Sequence, residues 1–213
     1  VVSRRRMGLV YAGREFFFHP GLAKLRIREI MAGKTDQMVK AMDLQPGDRV
    51  LDCTLGLAAD ALVAGYAVGD RGRVTGLEAV PVLALLISCG LEDHRFHSGP
   101  LGEAMRRVKV LTADHREYLV SCETGGYDVV YFDPMFRVPR LASSGMEPLR
   151  LLAESTAVGP EAVREAVRVA RRRVVLKERR DSSEFPRLGF ERVEGGRYSP
   201  VAYGVIEKGG GPG

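Results

Sequence analysis

Short apolar runs alternate with amphipathic stretches between residues 49 and 179. Each run has the length of a β-strand and is bounded by turn residues, whereas the stretches repeat apolar residues at the spacing of a helix face. Strands that alternate with helices form a parallel sheet with helices on both faces. The predicted strands are 49–54, 72–79, 108–114, 127–134 and 172–179, and the predicted helices are 57–69, 80–91, a short helix after 114, and 159–172.

Two further strand-like runs, 189–196 and 200–208, follow each other closely near the end of the chain. Parallel neighbours need a connection of a dozen or more residues, and there is no room for one here. We therefore predict an antiparallel hairpin at the edge of the sheet. For the whole chain the prediction is an α/β fold with a seven-stranded, mostly parallel, doubly wound sheet.

Two helices are predicted ahead of the first strand, at 22–32 and 34–44, the second capped by Thr35 or Asp36. The first has an apolar stripe made of Ala23, Ile27, Ile30 and Met31. The pattern predicts a basic lead-in over residues 1–45, a main domain over 46–208 and a tail over 209–213. Because the chain does not begin with Met, we expect that residues precede Val1.

The composition is that of a globular protein, with 45% hydrophobic and 28% charged residues. The longest uncharged apolar run, 79–91, is too short to span a bilayer, and no signal peptide is visible. Cys53, Cys89 and Cys122 form no disulfide or zinc pattern. We therefore expect a cytoplasmic protein that has no metal site and no membrane association.

The charge is concentrated at the start of the chain. Residues 1–28 contain seven arginines and lysines and one acid, Glu15, whereas the net charge of the whole chain is +5. A basic end on a nearly neutral body favours a polyanionic partner such as RNA. A solvated charged surface is the alternative interpretation.

The loop after the first predicted strand has one glycine, Gly56, and a carboxylate, Asp60, in the first turn of the following helix. A dinucleotide pyrophosphate needs a loop with more glycines. It would also be repelled by Asp60, by about 4 kcal/mol at 4 Å and an effective dielectric constant of 20. The loop thus favours a ligand that carries positive charge, such as S-adenosylmethionine.

Three consecutive predicted strands end in an acid: Asp52, Glu78 and Asp114. The carboxyl ends of parallel strands share one edge of the sheet, where ligands of doubly wound folds bind. Glu78 is placed to accept hydrogen bonds from ribose hydroxyls, and Asp114 from an adenine amino group. For Asp114, the alternative is a helix N-cap.

The fourth predicted strand ends in Asp133-Pro134-Met135-Phe136. This stretch resembles the Asp/Asn-Pro-Pro-Tyr/Phe motif of class I methyltransferases that modify exocyclic amino groups of bases, with Met135 in place of the second proline. The resemblance implies that Asp133 and the Pro134 carbonyl accept the N–H groups of the amine. Phe136 would stack on the base, an interaction of about 1–3 kcal/mol.

The stretch "DPMF" is similar to the version found in bacterial rRNA guanine-N2 methyltransferases of the RsmJ type. The loop "DCTLGLAADA" and the lead-in "LAKLRIREIMAGKTDQMVKA" resemble the same family, and "EFFFHP" ahead of the lead-in is typical of a Gram-positive relative. The similarity covers roughly residues 14–208. It implies a Rossmann-like class I methyltransferase that converts S-adenosylmethionine into S-adenosylhomocysteine while it methylates guanine N2 in 16S rRNA of the small subunit.

Site residues are assigned partly from the residues themselves and partly from this resemblance, which matches Ala59–Asp60, Glu78–Ala79, Asp114–His115 and Asp133 to cofactor contacts. The family has a glycine where this chain has Ala58. The assigned catalytic residues are Asp133, Pro134 and Phe136. The assigned cofactor residues are Asp52, Thr54, Gly56, Leu57, Ala59, Asp60, Glu78, Ala79, Asp114 and His115.

Candidate RNA contacts are Arg14, His19, Lys24, Arg28, Arg137, Arg140, Lys177 and Arg179. For Arg137 and Arg140 the alternative is ordinary surface charge, and for His19 it is a core histidine. Arg171, Arg172 and Arg173, which precede the fifth strand, are predicted to be solvated on the far edge of the sheet.

Three other functions stay open on this evidence. N-methylation of adenine or cytosine, in DNA or RNA, uses the same motif. A non-catalytic RNA-binding factor of the same fold would tolerate loss of Asp133. A dehydrogenase is disfavoured by the missing glycines and by Asp60.

Overall fold

The computed structural model describes residues 8–11, 14–93, 96, 98–134 and 158–209. The strands are β1 Leu9–Tyr11, β2 Arg14–Phe16, β3 Arg49–Asp52, β4 Arg73–Glu78, β5 Val108–Thr112, β6 Tyr127–Phe132, β7 Ala170–Arg179, β8 Arg192–Glu194 and β9 Val201–Glu207. The helices are α1 Gly21–Met31, α2 Gln37–Met42, α3 Ala59–Ala67, α4 Pro81–Leu91, α5 Gly99–Arg106, α6 His115–Ser121, α7 Pro160–Val169 and α8 Glu184–Arg187.

Seven strands form one sheet in the order β5-β4-β3-β6-β7-β9-β8. The first five of these are parallel to one another, whereas β9 lies antiparallel between β7 and β8. The predicted seven-stranded sheet with an antiparallel C-terminal hairpin is therefore confirmed. The strand order reverses between β3 and β6, which is the point where doubly wound sheets bind ligands.

Alternation along each strand divides the core between the two faces of the sheet. Val129 and Tyr131 of β6 pack with helices α1 to α5, whereas Val130 and Phe132 pack with α6, α7 and α8. The predicted lead-in shares the first of these clusters, because Ala23 of α1 and residues of α2 are buried in it. The basic N-terminal segment and the sheet thus have one continuous core.

Several elements differ from the prediction. The β1–β2 hairpin, α5 and α8 were not predicted, because none shows a long periodic pattern. In the stripe of α1, Ala23 and Ile27 are buried as expected, whereas Met31 is 57% exposed because it ends the helix. Asp36 is the N-cap of α2, and its side chain accepts hydrogen bonds from two backbone N–H groups. Among the described residues no helix is long and apolar enough to cross a bilayer.

Candidate active site

The loop that follows β3 lies between the ends of two neighbouring strands and is bound to both. The backbone N–H of Cys53 donates to Tyr131 of β6, and that of Leu55 donates to Leu77 of β4, each at 2.9 Å. Gly56 and Ala58 both have positive φ, of 50° and 62°. The loop can therefore turn sharply into α3, and Ala58 takes a backbone conformation that glycine adopts at lower cost.

Asp133 directly follows β6 and faces this loop. Its backbone N–H donates to the hydroxyl of Thr54 at 2.6 Å. Its carboxylate oxygen Oδ2 accepts a hydrogen bond from the Lys177 ammonium at 2.7 Å. The predicted catalytic acid and the predicted cofactor loop are thus in direct contact.

Lys177, on β7, also donates to Oδ2 of Asp60 at 2.8 Å. The same Asp60 oxygen accepts the hydroxyl proton of Tyr131 at 2.7 Å, and the other oxygen is ion-paired with Arg26 of α1. Arg26 in turn binds Asp36. A continuous chain of charged groups therefore connects the N-terminal helices, through Asp60 and Lys177, to Asp133.

Burial controls the protonation of this cluster. Burial raises the pKa of Asp52 to about 8, although the hydrogen bond from the Thr54 backbone opposes the shift. Burial likewise raises the pKa of Asp133 to about 7; Lys177 opposes this shift and the charge of Asp60 adds to it. Although burial opposes ionisation, Lys177 and Arg26 together hold the pKa of Asp60 well below its usual range. Asp60 is therefore held as the anion of the cluster, whereas burial makes Asp52 and Asp133 hold a proton more tightly than ordinary carboxyls do.

Glu78 ends β4 on the other side of the loop. It is buried, and its carboxylate accepts the backbone N–H groups of Gly56, Ala79 and Val80, the last at 2.9 Å. Burial raises its pKa despite these bonds. An acid held in this way beside the glycine loop fits the predicted contact with ribose hydroxyls.

Asp114 and His115 lie at the end of β5. Asp114 is the N-cap of α6 and accepts hydrogen bonds from the backbone and the guanidinium of Arg116, as its alternative interpretation predicted. His115 is only 6% exposed, and burial lowers its pKa. Its Nε2 is buried and has no hydrogen-bond partner within the described part of the chain. A buried polar atom of this kind destabilises the fold unless a ligand or another group forms a hydrogen bond with it.

These features test whether S-adenosylmethionine fits the site. The acids Asp52, Asp60, Glu78 and Asp133 lie around the loop that follows β3. Glu78 and His115, whose Nε2 has no hydrogen-bond partner among the described residues, both belong to the residues predicted to contact the cofactor. Carboxylates stabilise a sulfonium and an ammonium and repel a pyrophosphate. The donor set therefore fits the cofactor, with Glu78, Gly56 and His115 as the residues that would hold it.

A cavity of about 350 Å³ opens beside the charged cluster, between α1, α2 and the C-terminal hairpin. Arg26 and Tyr203 belong to its wall, and Tyr203 is the register partner of Lys177. The other lining residues are Glu29, Ile30, Lys34, Thr35, Asp36, Gln37 and Ser199. The cavity thus provides a concave surface on the same edge of the sheet as Asp133.

The predicted RNA contacts occupy different environments. Lys24 and Arg28 are exposed on α1, and Arg179 is ion-paired with Asp181 at 2.8 Å. His19 is exposed rather than in the core, and its Nδ1 accepts the Gly21 N–H at 3.1 Å. The backbone of Arg14 belongs to β2. The predicted residues Phe136, Arg137 and Arg140 lie outside the described residues.

Sequence reasoning missed Arg26 and Tyr131 as members of the site. Arg26 borders the buried stripe of α1, directly before Ile27, and this position is the signal that could have identified it. Tyr131 is only 1% exposed and was predicted only as part of the fourth strand. A hydroxyl so deeply buried needs a partner, and here the partner is Asp60.

The chain is similar to one protein family over most of its length and to individual relatives. A profile of the family described as "Putative SAM-dependent methyltransferase" matches residues 15–186. The uncharacterized protein YpiP of Bacillus subtilis is 40% identical over 208 residues, which are 97% of this chain and 80% of YpiP.

Two relatives are described as ribosomal RNA small subunit methyltransferase J. The one from Thioalkalivibrio sulfidiphilus is 31% identical over 151 residues, 68% of this chain and 57% of the relative. The one from Pseudomonas syringae pv. tomato is 33% identical over 172 residues, 76% of this chain and 62% of the relative. The matched part is therefore about three fifths of the length of these two proteins.

The solved structure of the SAM-dependent methyltransferase NGO1261 from Neisseria gonorrhoeae superposes with a TM-score of 0.67 at 20% identity, covering 96% of this chain and 80% of that chain. At this identity the similarity establishes the fold alone. It assigns the class I methyltransferase fold to the sheet described above.

Proposed function

Because the chain belongs to the family of SAM-dependent methyltransferases, we propose that it methylates an exocyclic amino group of a nucleobase, namely guanine N2 in small-subunit rRNA. One observation carries the proposal: Asp133 and Pro134 follow β6 at the switch point, and Asp133 is hydrogen-bonded to the cofactor loop through Thr54. The 31–33% identity to the methyltransferase J relatives supports rRNA as the substrate. Such a substrate also implies action in the cytoplasm.

In this proposal the chain orients the amine. S-adenosylmethionine, when bound, supplies an electrophilic methyl group on a sulfonium. Since Lys177 binds Oδ2 of Asp133, the other oxygen, Oδ1, accepts one N–H of the amine, and the Pro134 carbonyl accepts the other. The nitrogen lone pair is then free to form the new bond, and the displaced N–H proton has the Asp133 carboxylate as its nearest acceptor. Alignment of this kind accounts for a large part of catalysis in transfer reactions.

The basic surface of α1 supports an RNA partner. Lys24 and Arg28 are exposed on the helix whose Arg26 contacts the site, and the cavity lined by Arg26 offers room for part of the substrate. Contacts of lysine and arginine with phosphates position an RNA without reading its sequence.

The decisive experiment is mass mapping of 16S rRNA from a strain in which the gene is deleted. We expect one methylated guanine to lose its methyl group, and expect the wild-type gene, but not an Asp133→Ala gene, to restore it. Purified protein should then methylate small subunits from the deletion strain. If the guanines of 16S rRNA kept their methyl groups while a methylated adenine or cytosine was lost from DNA or RNA, the alternative base would be favoured. Full complementation by Asp133→Ala would favour a non-catalytic RNA-binding factor.

A further inference from the structure

Lys177 has an environment that RNA binding does not explain. Its ammonium lies within 2.8 Å of two carboxylates, Asp60 and Asp133, and its side chain is 21% exposed. In the parallel pairing of β6 with β7, Leu176 is opposite Phe132, so Lys177 comes directly beside Asp133. Two carboxylates of this chain already neutralise the ammonium, which makes Lys177 a part of the site itself.

The other charged and titratable groups around Lys177 come from every neighbouring element. They are Asp52 at the end of β3, Asp60 on α3, Arg26 on α1 with its partner Asp36, Tyr131 on β6, and Tyr203 on β9. Arg26 is directed at Asp60 rather than at Asp133. Of the described residues, Lys177 is therefore the cation that contacts Asp133.

We propose that Lys177 is a positioning residue for methyl transfer: its ammonium holds Oδ2 of Asp133 and keeps this carboxylate ionised, so that Oδ1 can accept an N–H of the target amine. The inference rests on the proposed function for its catalytic consequence. The contact between Lys177 and Asp133 does not depend on which base is methylated.

The pKa of Asp133 is subject to two opposing effects, and Lys177 provides the one that favours the carboxylate. Burial and the neighbouring charge of Asp60 favour the protonated acid, whereas Lys177 favours the carboxylate. A protonated Asp133 would be a weaker acceptor for the amine N–H and could not take up the displaced proton. Lys177 itself stays charged, because its two carboxylates raise its pKa against the effect of burial. Without the lysine, Asp60 and Asp133 would be two like charges in one buried site, and Asp133 would take up a proton.

The test measures the titration of Asp133 directly. Protein labelled with ¹³C at aspartate side-chain carboxyls is titrated by NMR, and the Asp133 signal is assigned with Asp133→Asn. In Lys177→Met we expect this signal to titrate at least about one pH unit higher than in wild type. The matched control is Lys109→Met, a strand lysine on β5, where the Asp133 titration should not move. An unmoved titration in folded Lys177→Met would overturn the proposal.

A second variant keeps the test informative if Lys177→Met does not fold. Asp60→Asn removes the neighbouring negative charge while the lysine remains, so the Asp133 titration should shift to lower pH. An Asp133 signal that ignores this change as well would contradict the proposed coupling.

The catalytic consequence is read from the pH dependence of kcat on the RNA substrate. Lys177→Met should lose at least tenfold in kcat at neutral pH and recover part of it at alkaline pH, and Lys177→Arg should retain most of the wild-type rate. An equal loss at every pH would indicate a merely structural lysine and would overturn the proposal. Since the NMR titration needs no RNA, a shifted Asp133 signal in a protein that methylates no RNA would refute the proposed function alone.

Discussion

Strands β6 and β7 carry charged residues at both ends, and the two ends differ in how the charges are shared. At the amino end, Asp128 accepts the Arg49 backbone N–H and pairs with Arg171 at 3.5 Å, where Arg171 is 54% exposed. At the carboxyl end, Asp133 shares the single ammonium of Lys177 with Asp60, and both acids contact it within 2.8 Å. Asp128 therefore has partners of its own, whereas the second arrangement makes the protonation of one acid depend on the other. Shared counterions in a cleft are typical of functional sites.

The same comparison applies to the arginines at the amino end of β7, Arg171 to Arg173. They were predicted to be solvated, but Arg172 pairs with Asp48 at 2.5 Å, and Arg173, whose side chain is only 15% exposed, pairs with Glu207 at 2.6 Å. These pairs connect the amino end of β7 to the turn before β3 and to the end of β9. Neither arginine is therefore freely solvated, because each is paired with a carboxylate of this chain.

The largest expected effect separates Asp128 of β6 from Asp133, which directly follows this strand. Asp133→Ala should reduce the methyl-transfer rate by about 10²–10⁴-fold, because it removes the acceptor for the amine. Asp128→Ala, at the other end of the strand, should leave the rate within about twofold of wild type. The rates are measured with saturating cofactor on small subunits that lack the methyl group. Comparable rates for the two variants would contradict the functional distinction between the ends of the strand.

The arginines offer the next comparison, in stability. Arg26→Met leaves the buried Asp60 with one partner fewer and should lower the free energy of unfolding by about 3 kcal/mol. Arg171→Met removes an exposed pair and should cost less than about 1 kcal/mol. Urea denaturation monitored by circular dichroism measures both values. Equal losses of unfolding free energy in the two variants would show that the ion pair of Arg26 with Asp60 contributes no more than an exposed pair.

The pH dependence of stability sharpens the comparison at Asp52. Its pKa is raised from 3.8 to about 8, so the folded protein binds this proton more tightly than the unfolded chain. The resulting stability is present at low pH and is lost as the pH rises from about 4 to about 8. Asp52→Asn should remove this loss, so its stability relative to wild type should increase by up to about 1.4 kcal/mol per pH unit in that window and then level off. Parallel curves for the two proteins, from denaturation at a series of pH values, would show that Asp52 does not titrate in this range.

The smallest effect concerns the backbone of the loop. Ala58 has a φ of 62°, a conformation that costs an alanine about 1–2 kcal/mol. Ala58→Gly should therefore leave the thermal stability nearly unchanged, since relief of strain offsets the loss of a buried methyl group. Ala64→Gly, a buried alanine inside α3 that has no such strain, should cost about 1 kcal/mol or more. Calorimetry of both variants tests the difference, and a larger loss for Ala58→Gly would contradict it.

Prediction from the sequence was most successful where the signal is periodic. The five parallel strands and the terminal hairpin were identified as short apolar runs bounded by turn residues, and the helices between them repeat apolar residues at the spacing of one face. The short β1–β2 hairpin and α8 were not predicted, because elements of three or four residues are too short to show a periodic pattern. In the candidate site, Asp133 and the loop around Gly56 were predicted, and the structure brings them into contact through Thr54.

The remaining site residues show the limit of such reasoning. Lys177 was assigned to RNA because it lies toward the edge of the sheet that carries the site, and Arg26 was counted only as part of a basic end. The structure brings both to Asp60, which is 34 residues from Arg26 and 117 from Lys177. Asp114 shows the opposite case, since a local cap explains most of its contacts.

The sequence by itself determined the class of fold and the edge of the sheet on which the acids lie, because hydrophobic periodicity sets strands and helices and parallel strands end at a common edge. Only the tertiary structure decided which cation meets which acid. That choice depends on the register of β6 with β7 and on the packing of α1 against α3, and contacts between such distant residues leave no periodic trace in the chain. The chemistry proposed for Asp133 therefore begins in a local motif, but its charge state is determined by residues that only folding brings together.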